Sequence, residues 1–573
     1  MTVDQASLDL AITELADGSQ RWAATTLEAR AELLEHSGAS VAAAAERWVA
    51  AAARAKGLGP SSPLIGEEWL TGPYGVLTSL TALGRTLRTL AAGRSTLAGR
   101  TFGRAPDGRV TVAVLPHNAW DGLLLHGYTA RAWLRPGVSA AQARAQGGLG
   151  QLTPTARNGV GLVLGAGNIS SIAPLDVLYE LMAHNRVSIL KLNPTFDGLL
   201  PVYRAALAPL INAGLLRIVT GGADVGAYLA RHPGISHVHI TGSAATHDAI
   251  VFGGSKSPSL GKPISSELGG VSPIIVLPGR WSARDLRYQA EHVATMRLHN
   301  GGYNCIAGQV LVLSSAWPQK TAFLDAVAAA LAASPVRPAW YPGSDERMRA
   351  ARAAYPAARS IPGGRLLVAA SPARAHGATD GDLLTEAGAS ALPENMLATE
   401  YFAPVLGVVE LPGVGEAFLD AAVETVNRDF LGTLGANILG APASIRRLGP
   451  GFEQAVARLR YGTIAINAWT GVGFLAAAAP WGAFPGHTLD NVQSGIGVVH
   501  NALLLDEVER TVVRGPFRPF PRSVVHGEWA LLPKPPWFVS ARSGTLTARL
   551  LTEFAARPSV RRLPGILAAA FRA

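Results

Sequence analysis

Between Gly159 and Ser243 the chain repeats one alternation: a short apolar run, a helix-like segment, then another apolar run. "VGLVLGAGN" leads to "PLDVLYELMAHN", "RVSILKLNP" to "PVYRAALAPLINAG", and "LLRIVTGG" to "ADVGAYLARHPG"; "ISHVHITGS" closes the series. A strand that is apolar on both faces must be covered on both, and helices following each strand supply that cover. The alternation predicts a doubly wound parallel sheet, with ligand chemistry at the carboxyl ends of its strands.

The flanks read differently. Residues 3–55 look helical, with Leu8, Ile12 and Leu15 on one face. A Gly- and Pro-rich stretch, 57–75, reads as loop, a second helix covers about 76–93, and "VTVAVLP" is strand-like. A length of 573 residues favours more than one domain. No apolar run is long enough for a spanning helix, and the opening "MTVDQASLDL" has no basic stretch before an apolar core. A cytoplasmic location is expected. Of the net charge of +10, +6 sits after residue 500, where 11 Arg/Lys face 5 Asp/Glu. Elsewhere the arginines are mostly single, without runs or interleaved aromatics, which argues against nucleic-acid binding.

Cys305 is the only cysteine. One thiol excludes an internal disulfide and a cysteine-based metal site, and no metal is expected. A lone Cys is by default a small buried hydrophobe, but three stretches suggest more. "SSELGGVSPIIVL" puts Glu267 ahead of a Gly-Gly turn, as a loop acid or as a general base whose pKa burial raises. "HVHITGSAATHDAI" ends a strand at Gly242-Ser243 and starts a helix, giving either a Ser N-cap or a phosphate seat. "GAGNISS" places Asn168 past a strand's carboxyl end, as a turn residue or as an oxyanion donor.

In order, these motifs resemble the aldehyde dehydrogenase superfamily: Asn168, Lys191, Gly242-Ser243, Glu267-Leu268-Gly269-Gly270, Cys305 and "TEYFAPVL" from Thr399 to Leu406. Their separations fit the family, and the resemblance covers roughly residues 1–500. It implies an α/β fold with a Rossmann-type cofactor domain, an α/β catalytic domain and an oligomerisation arm. It implies that Cys305 is the nucleophile, Asn168 with the Cys305 N–H the oxyanion hole, and Glu267 the base that activates water. Lys191 would contact the adenosine ribose, Gly242 and Ser243 the pyrophosphate, and Glu400 with Phe402 the nicotinamide ribose. Gly222 and Gly226 resemble the family's glycine turn before a helix. The implied cofactor is NAD or NADP, the substrate an aldehyde, and the assembly a homodimer or homotetramer.

The expected organisation is N-terminal helices and cofactor domain over 1–241, catalytic domain over 242–440, return to the cofactor domain with the arm over 441–500, and a basic extension over 501–573. Pro194 stands where NAD-preferring members carry a ribose-binding Glu, so NADP is expected to serve comparably to NAD. "FLAAAAP", Phe474–Pro480, is unusually apolar and is expected to line a hydrophobic entrance or to be buried at an interface. The leading reading is oxidation of a hydrophobic aldehyde to a carboxylic acid. A fatty acyl-CoA reductase or CoA-acylating relative is one alternative, which Glu267 opposes. A non-catalytic scaffold or membrane-surface binder is the other. Arg and aromatic residues in "PFRPFPRSVV" and "PKPPWFV" suit either packing across the catalytic domain or contact with anionic lipid.

Overall fold

The computed structural model describes residues 4–369 and 395–573. Among the described residues two large sheets organise it, beside a two-stranded ribbon. The smaller has six strands, in the order Gly495–Ile496, Ile264–Leu268, Ile235–Gly242, Val160–Leu164, Val187–Lys191 and Leu216–Val219. All its neighbours run parallel except the Gly495–Ile496 edge. This is the doubly wound sheet that the alternation predicts. Three of its strands, VGLVL, VSILK and LRIV, are mainly aliphatic because helices such as Ile172–His184 cover them.

Among the described residues the larger sheet has eleven strands. Seven of them form a parallel core, in the order Val508–Arg514, Thr463–Ile466, Gly435–Leu439, Ser272–Val276, Gly308–Ser314, Val405–Leu411 and Arg365–Ala369. Antiparallel strands extend both ends, among them Thr129–Leu134 beside Val508–Arg514. The boundary expected between residues 241 and 242 falls inside the strand Ile235–Gly242. The smaller sheet keeps Ile264–Leu268, and the chain crosses to the larger sheet at Gly269-Gly270.

The basic stretch after residue 500 is not wholly an extension, since Val508–Arg514 lies within the larger sheet. Its "VERTVVR" pattern hid this, because Glu509 and Arg510 are buried as an ion pair at 2.9 Å. Beyond it the chain packs along the helix Ala283–Leu298. Asp285 completes a capping box with Ser282 and also binds Arg518 at 2.9 Å and Arg522 at 2.7 Å. Gln289 donates to the Phe517 carbonyl at 2.6 Å, and Glu291 binds Lys534 at 2.6 Å. Much of the tail's positive charge is therefore engaged by acids of the same chain.

The N-terminal helices run Gln5–Ala24 and Leu27–Ala55, capped by Asp4 and Thr26. The stretch read as loop, 57–75, contains the helix Ile65–Trp69 and the wide turn Leu70–Tyr74. Its glycines and Pro73 masked that helix, and the non-helical backbone at Gly72 breaks it. Among the described residues no helix is long and apolar enough to cross a membrane.

Candidate active site

The helix Ala283–Leu298 ends in a tight turn that delivers Cys305 to the start of the strand Gly308–Ser314. Asn300, Gly301 and Gly302 all have positive φ. A Cβ on Gly301 would lie 2.8 Å from Arg337, and one on Gly302 2.7 Å from Arg297, so glycine is required at both positions. Asn300 pins this turn. Its side-chain amide donates to the carbonyls of Asn168 and Tyr303, each at 3.0 Å. Its Oδ1 accepts from Lys56 Nζ at 3.0 Å, and its backbone N–H donates to Glu67 at 2.8 Å. Lys56 and Glu68 form a fully buried pair at 2.9 Å, and Arg337 binds Glu67. A buried ion cluster from the N-terminal helices thus fixes the loop before the cysteine.

Asn168 and Glu267 converge on this loop from the smaller sheet. Asn168 Nδ2 donates to the Tyr303 carbonyl at 3.0 Å, which leaves its second amide hydrogen free. Glu267, at the carboxyl end of Ile264–Leu268, is buried and accepts from the Cys305 thiol at 3.5 Å. The same oxygen accepts the Trp481 indole N–H at 3.0 Å, while Oε2 is buried without a hydrogen-bond partner. Burial pushes the Glu267 carboxyl up to about 7 against the pull of Trp481. Burial, with the carboxylates of Glu267 and Glu400 nearby, holds the Cys305 thiol well above its usual range. At rest the proton of this pair therefore stays on the sulfur, while the carboxyl itself gains or loses a proton near neutrality.

Two cavities meet at Cys305, and Ile172 lines both. The polar cavity is lined by Asn168, Gly242, Ser243, Glu267, Glu400 and Phe402, with Arg347 and Tyr341 opposite. Ser243 caps the helix Ala244–Phe252, accepting the Thr246 N–H at 3.2 Å. Glu400 packs against Gly269, where a Cβ would collide with its carboxylate. Burial raises its carboxyl to about 8, and its Oε1 is buried without a partner. Backbone N–H groups at a helix start, an unsatisfied ribose-competent acid and an aromatic wall make a donor set that fits a dinucleotide.

The second cavity is apolar and is lined by Ile169, Trp469, Phe474, Leu475 and Trp481 beside His299. Phe474 and Leu475 open the "FLAAAAP" stretch, and the alanines behind them are largely buried.

Three of the sequence-predicted residues stand apart from the polar cavity. Lys191 ends its strand buried, its ammonium pushed down by burial and held up by Asp197 and Asp224. Gly222 is the N-cap of the helix Ala223–Arg231 and Gly226 lies in its first turn, after the strand that pairs with Lys191's own. Sequence reasoning missed Asn300, Trp481, Tyr341 and Arg347. Asn300 could have been suspected from its place in "HNGGYNC", where two glycines signal a forced turn.

The profile of the aldehyde dehydrogenase family matches residues 199–484, which include Glu267, Cys305, Glu400 and Phe402 but not Asn168 or Lys191. A chloroplastic betaine aldehyde dehydrogenase of Beta vulgaris is 50% identical over 64 residues, 11% of this chain and 12% of its own length. The chain thus matches only a small part of that curated relative. Solved structures are similar over far more. An aldehyde dehydrogenase C mutant from Pseudomonas syringae, complexed with NAD+ and octanal, superposes with a TM-score of 0.58 at 16% identity over 90% of each chain. The NADP-dependent glyceraldehyde-3-phosphate dehydrogenase of Bacillus halodurans, complexed with NADP, gives a TM-score of 0.56 at 18% identity over 89% of this chain and 91% of its own.

Proposed function

The chain belongs to the aldehyde dehydrogenase superfamily, and from that premise we propose that it oxidises a hydrophobic aldehyde to the carboxylic acid with NAD or NADP. The observation that carries this reading is the meeting of Cys305 and Glu267 at 3.5 Å on the seam between a polar and an apolar cavity.

Glu267 takes the thiol proton as Cys305 Sγ attacks the aldehyde carbonyl. The free amide hydrogen of Asn168 and the Cys305 backbone N–H stabilise the thiohemiacetal oxyanion. Ser243 and the start of its helix would hold a pyrophosphate, and Glu400 with Phe402 would hold the nicotinamide ribose. A bound NAD or NADP supplies the hydride acceptor. The thioester left on Cys305 must then be cleaved. Glu267 gives the thiol proton up to solvent, and as a carboxylate it then deprotonates water, which attacks the acyl carbon; the carboxylic acid is released and the departing sulfur takes the proton from Glu267. Trp481 keeps the carboxylate turned toward the sulfur. The apolar lining of Phe474, Trp469 and Ile169 suits an uncharged aldehyde body.

Lys191 would contact the adenosine ribose. Asp197 and Asp224 beside it supply negative charge that Pro194 lacks, and this favours NAD over the 2′-phosphate of NADP.

The test is reduction of NAD and NADP by purified protein against a panel of aldehydes of rising chain length, with and without CoA. Acid formation without CoA is expected. Strict dependence on CoA, with a thioester product, would overturn the reading.

A further inference from the structure

A second cleft opens beyond the apolar cavity. The helix Gly544–Ala556, in the part of the tail that follows the sheet strand, forms one of its walls. Resting on the functional reading above, we propose that this cleft is the outer compartment of the substrate channel. In it Leu551, Phe554 and Trp120 seat the distal hydrocarbon or aryl end of the aldehyde bound at Cys305.

Continuity carries the argument. Leu475 lines both the inner cavity at Cys305 and the outer cleft. The two share their walls as well. The turn Leu70–Tyr74 presents Thr71 to the inner space and Tyr74 to the outer. The apolar stretch that starts at Phe474 does likewise, with Phe474 inside and Ala476 to Ala478 outside.

The lining suits an apolar occupant. Leu124, Leu125, Leu475 and Leu551 are only half-buried, so they border the space without closing on one another. Trp120 meets Phe554 edge to face at 5.4 Å and forms an aromatic corner of the cleft. Polar groups of Arg85, Asn118 and Asp121 also border it.

The helix is anchored rather than loosely laid. Thr545 Oγ1 accepts the Gly66 N–H and donates to the Pro63 carbonyl, both at 3.1 Å. A Cβ on Gly66 would stand 2.9 Å from the Gly544 backbone. Its N-terminal end is therefore clamped to the helix that leads straight into the Leu70–Tyr74 turn. Arg549 pairs with Glu46 at 3.0 Å on the outer side. Leu551 and Phe554 are held over the cleft by a scaffold shared with the inner cavity. This gives the extension a role in selecting substrates by the length and polarity of their far end.

Cys305 is the only thiol, so its alkylation by iodoacetamide is read cleanly by intact mass. Straight-chain primary amides, which cannot be oxidised, serve as probes. In the wild type their protection of Cys305 should improve by up to about fourfold per added methylene, and the gain should continue past the length that fills the inner cavity. Leu551→Trp should stop the gain at that length, and Leu551→Asn, which keeps the size, should flatten it. In turnover, kcat/KM for long aldehydes should fall at least tenfold in either variant, while that for propanal stays unchanged. The same length dependence in wild type and both folded variants would overturn the proposal. Length-dependent protection by amides without oxidation of any aldehyde would sink the functional reading and leave the compartment standing. Oxidation of aldehydes with no length dependence anywhere would do the reverse.

Discussion

The Trp481 indole N–H and the Cys305 thiol meet the same oxygen of Glu267, at 3.0 Å and 3.5 Å. Trp481 stabilises the charged carboxylate, and burial opposes it. The balance leaves a base with a pKa of about 7, suited to work near neutral pH. Because the base acts deprotonated, kcat/KM should rise with pH through that value. Trp481→Phe keeps an aromatic wall but removes the donor. The carboxylate then loses a stabilising hydrogen bond, the Glu267 pKa rises, and the acidic limb of the pH–rate profile should move to higher pH. An unmoved limb would detach Trp481 from the base.

Glu267→Gln keeps the shape and removes the base. Because Glu267 both takes the thiol proton and activates water, the first turnover should be slowed but should still give up to one reduced cofactor per site. Turnover should then stall with an acyl group on Cys305, and the steady-state rate should drop by about 10²–10⁴-fold. Stopped-flow absorbance with intact-mass detection of the adduct reads both events. Normal steady turnover without an adduct would mean that another group is the base.

The thiol makes an opposite demand. Burial and the two nearby carboxylates disfavour the thiolate, so iodoacetamide labelling should be slow at neutral pH. It should still be climbing above the ordinary thiol pKa of about 8.5. At a pH where Glu267 is ionised, Glu267→Gln removes a like charge and should accelerate labelling. Slower labelling in that variant would show the carboxylate acting as the thiol's base even toward an alkylating agent. Cys305→Ser should abolish both labelling and dehydrogenase activity.

Asn300 touches neither the sulfur nor the polar cavity's contents, yet it binds the carbonyls of Asn168 and Tyr303. In the proposed mechanism it is a positioning residue. Asn300→Ala should lower kcat about tenfold or more with little change in KM, short of the ~10²–10³ expected for loss of an oxyanion donor in Asn168→Ala. A rise in KM alone would contradict that role. Lys56→Met leaves the buried Glu68 with only Arg337, at 3.8 Å, and should cost up to about 3–5 kcal/mol of stability, measured by denaturant unfolding.

Cofactor choice rests on charge. Asp224 stands at the start of the helix Ala223–Arg231, near Lys191. Asp224→Ser should raise the NADP to NAD ratio of kcat/KM, and Pro194→Glu should lower it. A wild type that prefers NADP would mean that neither aspartate faces the adenosine ribose.

The smaller sheet was legible because a strand buried on both faces must be written as a continuous apolar run, a local property of "VGLVL" or "VSILK". Cys305, Glu267 and Asn168 could be singled out as candidates because residue type, order and spacing along the chain carry the family resemblance. The strand Val508–Arg514 was not legible, since Glu509 is met by Arg109, Arg514 by Glu453 and Arg510 by the Val456 carbonyl, partners that the fold supplies. The same holds for the chemistry of the site. Trp481 lies 214 residues from Glu267, and Lys56 lies 244 from Asn300. Sequence determined which groups could react. Tertiary structure alone decided their pKa values, the clamp on the cysteine loop and the helix over the outer cleft, because burial and electrostatic interaction are summed over neighbours in space.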